Sequence, residues 1–217
     1  MSRRLFRMKA KMKVCDVVKN SIWFDPRVRK QILSYKDTLD CEVVAIGMRD
    51  LRYDEAKVGN IPCEVKLAAV DEKYFSRKRT FFKKIKRELT VNRELAKLIV
   101  ESNPDVIHAN DLNALVPAYK AAKKLKCKLI YDSHEVFLEN VGISNSKLTK
   151  TIWAFWEKKL TKKINKMVCV SNAAAEYFEK KYNIEKPLVV TNCCIKAEQC
   201  VSAEKNDGFE VLNHGQF

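Results

Sequence analysis

Short runs rich in Val, Ile and Cys recur along the chain, separated by segments of helical length that carry an apolar stripe. A strand covered on both faces reads as a near-continuous apolar run, whereas a helix lying on a sheet is apolar along one side only. The repeated order of strand and then helix predicts an α/β fold, a parallel sheet with helices on both faces. Val14–Val18 is the first predicted strand and Pro26–Leu39 the helix after it, with proline in the first turn, where its missing N–H does no harm. Glu42–Ile46 and Val65–Ala69 follow as strands. A long basic helix is predicted over Ser76–Glu101, with Phe82, Ile85, Leu89, Ala96 and Ile99 on one face, and Asn103-Pro104 stops it.

The second stretch is plainer. Asp105–Ala109, Lys128–Tyr131, Lys166–Val170 and Leu188–Thr191 are predicted strands. Between them lie predicted helices at Leu112–Leu125 and Leu148–Ile164, the latter with Ile152, Trp153, Trp156, Leu160 and Ile164 as its stripe. A further helix runs to Tyr182 from a Ser171 cap. The expected organisation is a basic extension over 1–12, one domain over 13–194, a polar connector over 195–208, and a new strand opening at Phe209–Leu212. That last strand and its glycine turn have no helix behind them, as if a second unit were interrupted.

Bulk properties narrow the class. No apolar run approaches the ~18 residues needed to span a bilayer, and the basic start has neither an apolar stretch nor a cleavage site behind it, so a cytoplasmic protein is expected. Eight cysteines show no Cys-x-x-Cys pair or zinc spacing, and several fall inside predicted strands, where thiols pack as small hydrophobes. No metal site is expected. The net charge of +15 predicts an anionic partner. The charge is clustered. One group is Arg77, Lys78, Arg79, Lys83 and Lys84 beside Phe81 and Phe82; another runs over Lys158–Lys166 next to Trp153 and Trp156. Basic residues interleaved with aromatics suit the surface of an anionic membrane; a solvated charged face is the plainer alternative. Nucleic acid is not expected as a partner, because no recognisable nucleic-acid module occurs.

Open parallel sheets bind ligands beyond the carboxyl ends of their strands. Three such places are polar here: the stretch from Lys19 to Arg29, with Asp25 and Arg27; His108-Ala109-Asn110-Asp111; and Asp132-Ser133-His134-Glu135. Asn110 or Asp111 equally suits a helix cap. Asp132 and Glu135 are candidates for paired acid–base work. Neither a Gly-x-Gly-x-x-Gly nor a Walker-type loop is present, which argues against a self-sufficient dinucleotide enzyme or NTPase.

Six segments together resemble the N-terminal domain of family 4 retaining glycosyltransferases: FDPRVRK (Phe24–Lys30), DVIHANDLNALVPAYKAAKK (Asp105–Lys124), KLIYDSHEVF (Lys128–Phe137), KMVCVSNAAAEYF (Lys166–Phe178), VVTNC (Val189–Cys193) and VLNHGQF (Val211–Phe217). The resemblance implies the first half of a GT-B fold, in which two Rossmann-like domains face each other across a cleft. It implies metal-independent transfer from a UDP- or GDP-linked sugar to a glycan or lipid-linked acceptor, with no other cofactor. Asp25, Arg27, His108, Asp111, His134 and Glu135 would line the acceptor side, and Gly215 would lie in the loop near the donor phosphates. The paired glutamates that the family uses on the donor diphosphate have no counterpart up to Phe217. A non-catalytic acceptor-binding module working with a separate donor chain is therefore the alternative, followed by a basic nucleic-acid-binding protein.

Overall fold

The computed structural model describes residues 11–23, 25–49, 61–68, 81–140 and 146–193. The elements in chain order are β1 (Lys13–Val17), α1 (Pro26–Asp37), β2 (Glu42–Met48), β3 (Glu64–Ala68), α2 (Phe81–Ser102), β4 (Val106–Asn110), α3 (Asp111–Leu125) and β5 (Lys128–Ser133). A 3-10 turn at Phe137–Glu139 precedes α4 (Lys147–Leu160), β6 (Lys166–Cys169), α5 (Asn172–Tyr182) and β7 (Leu188–Val189). The strands form one seven-stranded parallel sheet in the order β3-β2-β1-β4-β5-β6-β7. The chain builds outward from β1 through β2 to β3, crosses back through α2, and restarts on the other side of β1 with β4. The crevice where that direction reverses, between β1 and β4, is where open α/β sheets hold ligands.

Strand periodicity divides the core into two layers, because successive side chains point to opposite faces. Val14 and Val18 of the first strand region, with Val43 and Ala45, pack under Val28 and Ile32 of α1. Cys15, Val17, Ile107, Tyr131 and Cys169 face the other way, into a larger core completed by α2, α3, α4 and α5. Pro26 starts α1 and the Asp25 carboxylate caps it, accepting from the Arg27 amide. Ser171 caps α5 in the same manner through the Ala174 amide. Helices α3 and α5 end on Lys126 and Asn183 in left-handed conformation, each preceded by lysines that suit the negative end of the helix.

Strands and helices fall where the sequence predicts them, within a few residues, but two apolar stripes do not. On α2 burial belongs to Val91, Leu95 and Ile99, while Ile85 and Leu89 stay exposed, because only the second half of that helix packs on the core. The α4 helix ends at Leu160, before Ile164, and Ile152 faces solvent instead of joining the buried side. Gly47 has a packing reason to lack a side chain: a Cβ there would lie 2.6 Å from Ile22 Cγ1 and 3.0 Å from the Asn20 carbonyl. The connector over 195–208, the strand at Phe209–Leu212 and most of the basic N-terminal extension lie outside the described residues. No helix among the described residues is long and apolar enough to cross a membrane.

Candidate functional site

At the carboxyl ends of β1, β4 and β5 the face under α1 stops being apolar. Asp16 alternates with Cys15 and Val17, His108 and Asn110 flank Ala109, and Asp132 follows Tyr131; strand parity therefore sends all four to the same side. Parallel register makes them neighbours, pairing Asp16 with His108 and Asn110 with Asp132. All four are buried.

Asp132 is the centre of this group. Its Oδ2 accepts from Gln31 Nε2 at 2.5 Å and lies 3.2 Å from His108 Nε2 and 3.3 Å from His134 Nε2. Burial works to raise its pKa, but the two imidazoles hold the carboxyl far below the usual range. With its proton on Nε2, His108 donates to Asp132 and accepts at Nδ1 from the Tyr35 hydroxyl. Tyr35 is kept protonated by burial and by the negative charge of Asp16 and Asp132.

His134 sits just past β5, its side chain almost wholly enclosed. Its backbone N–H donates to Asp111 Oδ1 at 3.1 Å, and its ring Nδ1 is 3.6 Å from Asp111 Oδ2. Burial opposes the charged imidazolium, but the carboxylates of Asp111 and Asp132 outweigh it and push the pKa up to about 9. Neither ring nitrogen is aligned for a hydrogen bond within the protein. Asp16 Oδ2, Asn110 Oδ1 and Gln31 Oε1 are likewise buried without a partner. Such atoms concentrate where a polar ligand or ordered water would complete them. Asp16 Oδ1 accepts from Asn110 Nδ2 at 2.5 Å; burial first, opposed by that bond and by His108, brings its pKa to about 6.

The structure places the sequence candidates unequally. His108, Asp111 and His134 are brought together. Asn110 occupies the cap position of α3 but makes no side-chain cap, since its amide goes to Asp16 and to the Val17 carbonyl. Asp111 does not cap either. It holds φ at 65°, a left-handed conformation uncommon for a residue with a side chain, and directs its carboxylate to His134. Asp25 is a buried helix cap clamped by Arg27, with contacts of 3.0 Å at Nε and 2.9 Å at Nη2. Arg27 remains partly open. Burial disfavours its charge, but Asp25, with Asp111 and Asp132 nearby, raises its pKa.

The proposed acid–base pairing of Asp132 with Glu135 is not seen. Asp132 turns Oδ2 to Gln31, His108 and His134, whereas Glu135 is exposed and accepts from Asn140 at 2.9 Å. Gly215 and Arg77–Arg79 lie outside the described residues, as do the side chains of Phe81, Phe82 and Lys84; Lys83 is exposed on α2. Gln31 and Tyr35 are missing from the sequence reading, although they stand one helical turn apart on α1 beside the buried pair Val28 and Ile32. Among the described residues no group of three or more His, Cys, Asp or Glu is placed to hold a metal ion. Two surface hollows of about 320 and 370 Å³ lie at the opposite, amino-terminal edge of the sheet, away from this cluster.

A parallel sheet of this order, with its polar cluster at the switch point, defines a Rossmann-like domain of the kind found in GT-B glycosyltransferases. The solved structures with this fold include TcCGT1 in complex with UDP, 14% identical over 91% of this chain and 54% of that one, at a TM-score of 0.61. The apo lipopolysaccharide outer core galactosyltransferase WaaB is similar at 14% identity over 83% of this chain and 46% of its own, TM-score 0.53. A curated relative, an uncharacterized 42.6 kDa protein in the cps region of Klebsiella pneumoniae, is 26% identical over 38% of this chain and 25% of its length. The model of Glycosyltransferase Family 4 matches residues 39–199, most of the chain, and the protein belongs to that family. It spans about half the length of the two solved structures and a quarter of the curated relative.

Proposed function

We propose that this chain is the acceptor-side half of a retaining glycosyltransferase that moves a sugar from a UDP- or GDP-linked donor to a glycan or lipid-linked acceptor. The setting is synthesis of a surface polysaccharide or glycolipid, at or near the inner face of an anionic membrane. The observation that carries this reading is the buried Asp132–His108–His134–Asp111 cluster at the sheet's switch point. With its pKa near 9, the enclosed His134 is an imidazolium at neutral pH, unsuited to remove a proton but suited to hold the Asp111 and Asp132 carboxylates in place by its charge. Asp132 is pinned by its donors, so its part is to hold the two histidines in place. Asp111, with a side chain 18% exposed, and exposed Glu135 are the carboxylates left within reach of an acceptor hydroxyl. Arg27 adds a second positive charge at the rim. The nucleotide-sugar, on this reading, is held mainly by a second domain, and no metal is required.

Calorimetric titration of the chain with UDP- and GDP-sugars, beside nuclear magnetic resonance of the His134 ring during titration with glycan and sugar-phosphate acceptors, tests the assignment. Acceptors should shift His134, with little heat from nucleotide-sugars. Tight nucleotide-sugar binding that His134→Ala abolishes would reverse the division of labour.

A further inference from the structure

A chain of polar groups runs through the larger core, on the face of the sheet turned away from Asp132. Glu157 of α4 accepts there from the hydroxyls of Tyr182, at the end of α5, and of Tyr131, on β5, the latter at 3.4 Å. Tyr131 lies equally 3.4 Å from Ser133 Oγ, two residues on and on the same side of the strand. The Ser133 hydroxyl donates in turn to the Glu135 carbonyl at 2.7 Å, so its oxygen is left to accept from Tyr131. Tyr182, Glu157, Tyr131 and Ser133 are all buried. The chain thus leads from two helices to the turn that carries His134 and Glu135. Two further bonds fix that turn: the His134 amide donates to Asp111 Oδ1 at 3.1 Å, and Asn140 donates to the Glu135 carboxylate at 2.9 Å.

We propose that Ser133 is a positioning residue: aimed by Tyr131 and Glu157, it sets the turn at 134–135 and with it the distance between His134 and Asp111. Polar groups in an otherwise apolar layer are costly to bury. A link that served only to tie α4 to α5 would be complete at Glu157 and Tyr182. Tyr131 and Ser133 extend it by two hydroxyls, where Phe and Ala would pack with no polar group to satisfy. The last hydroxyl directs its proton at the backbone just past His134. Without that bond the Glu135 carbonyl is free to rotate, and the contacts to Asp111 and Asn140 hold the turn less tightly. His134 Nδ1 stands 3.6 Å from Asp111 Oδ2, so small rotations of the turn change the separation of the two charges. The use made of this turn rests on the acceptor reading proposed above; its geometry does not.

Nuclear magnetic resonance of the His134 ring across pH, on the full chain without ligand, tests it. In Ser133→Ala the ring should titrate about one pH unit or more below the parent's value of about 9. Tyr131→Phe should move it the same way, and the double variant no further than Ser133→Ala alone, because the two act in series. Tyr182→Phe is the control. It removes a phenol contact of Glu157 that does not lead to Ser133, so it should lower the thermal midpoint and leave the His134 titration in place. Each single variant removes one oxygen atom and should keep its circular dichroism. The inference is overturned if Ser133→Ala leaves the titration unchanged, if Tyr182→Phe moves it as far as Tyr131→Phe, or if the shifts of the single variants add. No sugar enters the measurement, so a failure of acceptor binding and a failure of this inference are read separately.

Discussion

Replacing Asp132 by Asn removes one carboxylate from a buried group that holds two imidazoles, and the effect should be read as a function of pH. His134 is held at a pKa of about 9 against an ordinary 6.5. That difference corresponds to about 3 kcal/mol of stability linked to its protonation. Because the folded value is raised, this contribution is present in full below pH 6.5 and disappears as pH climbs through 9. The Asp132 side of the same interaction has the opposite sense: its folded pKa is depressed, so the contribution is lost as pH falls below the ordinary 3.8. The two are one interaction seen from both partners and are not added. Urea unfolding of the parent should therefore show a decline across pH 6.5 to 9 that is shallower in the Asp132→Asn protein, where Asp111 alone still raises the His134 pKa. At neutral pH the variant should also be weaker by roughly 1–3 kcal/mol, because His134 keeps Asp111 while a neutral amide replaces the charged acceptor shared by Gln31 and His108. The His134 Hε1 resonance gives the pKa directly. Parent His134 titrating near 6.5, or a variant with an unchanged stability slope, would refute the reasoning.

Three further outcomes are expected. Asp16 is buried with its pKa raised from 3.8 to about 6, so its ionised form weakens the fold above pH 6; Asp16→Asn should stabilise there by about 1–3 kcal/mol and do little below pH 3.8, measured by denaturant midpoint. Gly47→Ala should cost about 1–3 kcal/mol by overpacking Ile22, and Ile22→Ala in the same chain should recover part of that loss, a non-additivity visible in a double-mutant cycle. Glu157 is fully buried and accepts from the hydroxyls of Tyr131 and Tyr182, with burial raising its pKa despite the Tyr182 bond. Glu157→Gln should thus stay within about 1 kcal/mol of the parent in thermal unfolding, while Glu157→Ala, leaving two phenols and a void, should lose about 2–4 kcal/mol.

Much of this was legible in the chain because the relevant signals are local. Apolar strand runs, the Pro26 start, the Ser171 cap and the Asn103-Pro104 stop each act over a few residues, and the elements fall where those signals put them. His108, Asp111 and His134 were visible as polar residues at strand ends. The links between them were not, because Asp132 reaches Gln31 across 101 positions of sequence. One clue was available: Asp16 interrupts an otherwise apolar central strand, and strand parity puts it on the same face as His108 and Asn110. The apolar stripes failed for a different reason. Helical periodicity tells which residues share a side, but not how far along a helix the core extends, so Ile85 and Leu89 were grouped with Ile99 and ended in solvent. On α4 the pattern holds apolar residues for two sides, and sequence alone does not say which side is spoken for.

The left-handed backbone at Asp111 has a consequence for how this protein tolerates change. Holding a side-chain-bearing residue at that angle costs roughly 1 kcal/mol relative to glycine. Asp111→Gly would relax the turn and at the same time strip away the carboxylate that receives the His134 amide. Backbone and side chain therefore pull this one position in opposite directions, and the side chain wins, because without it the buried His134 charge would keep one carboxylate fewer. A library screened for thermal resistance should keep aspartate here and mend the strain at neighbouring positions of the turn.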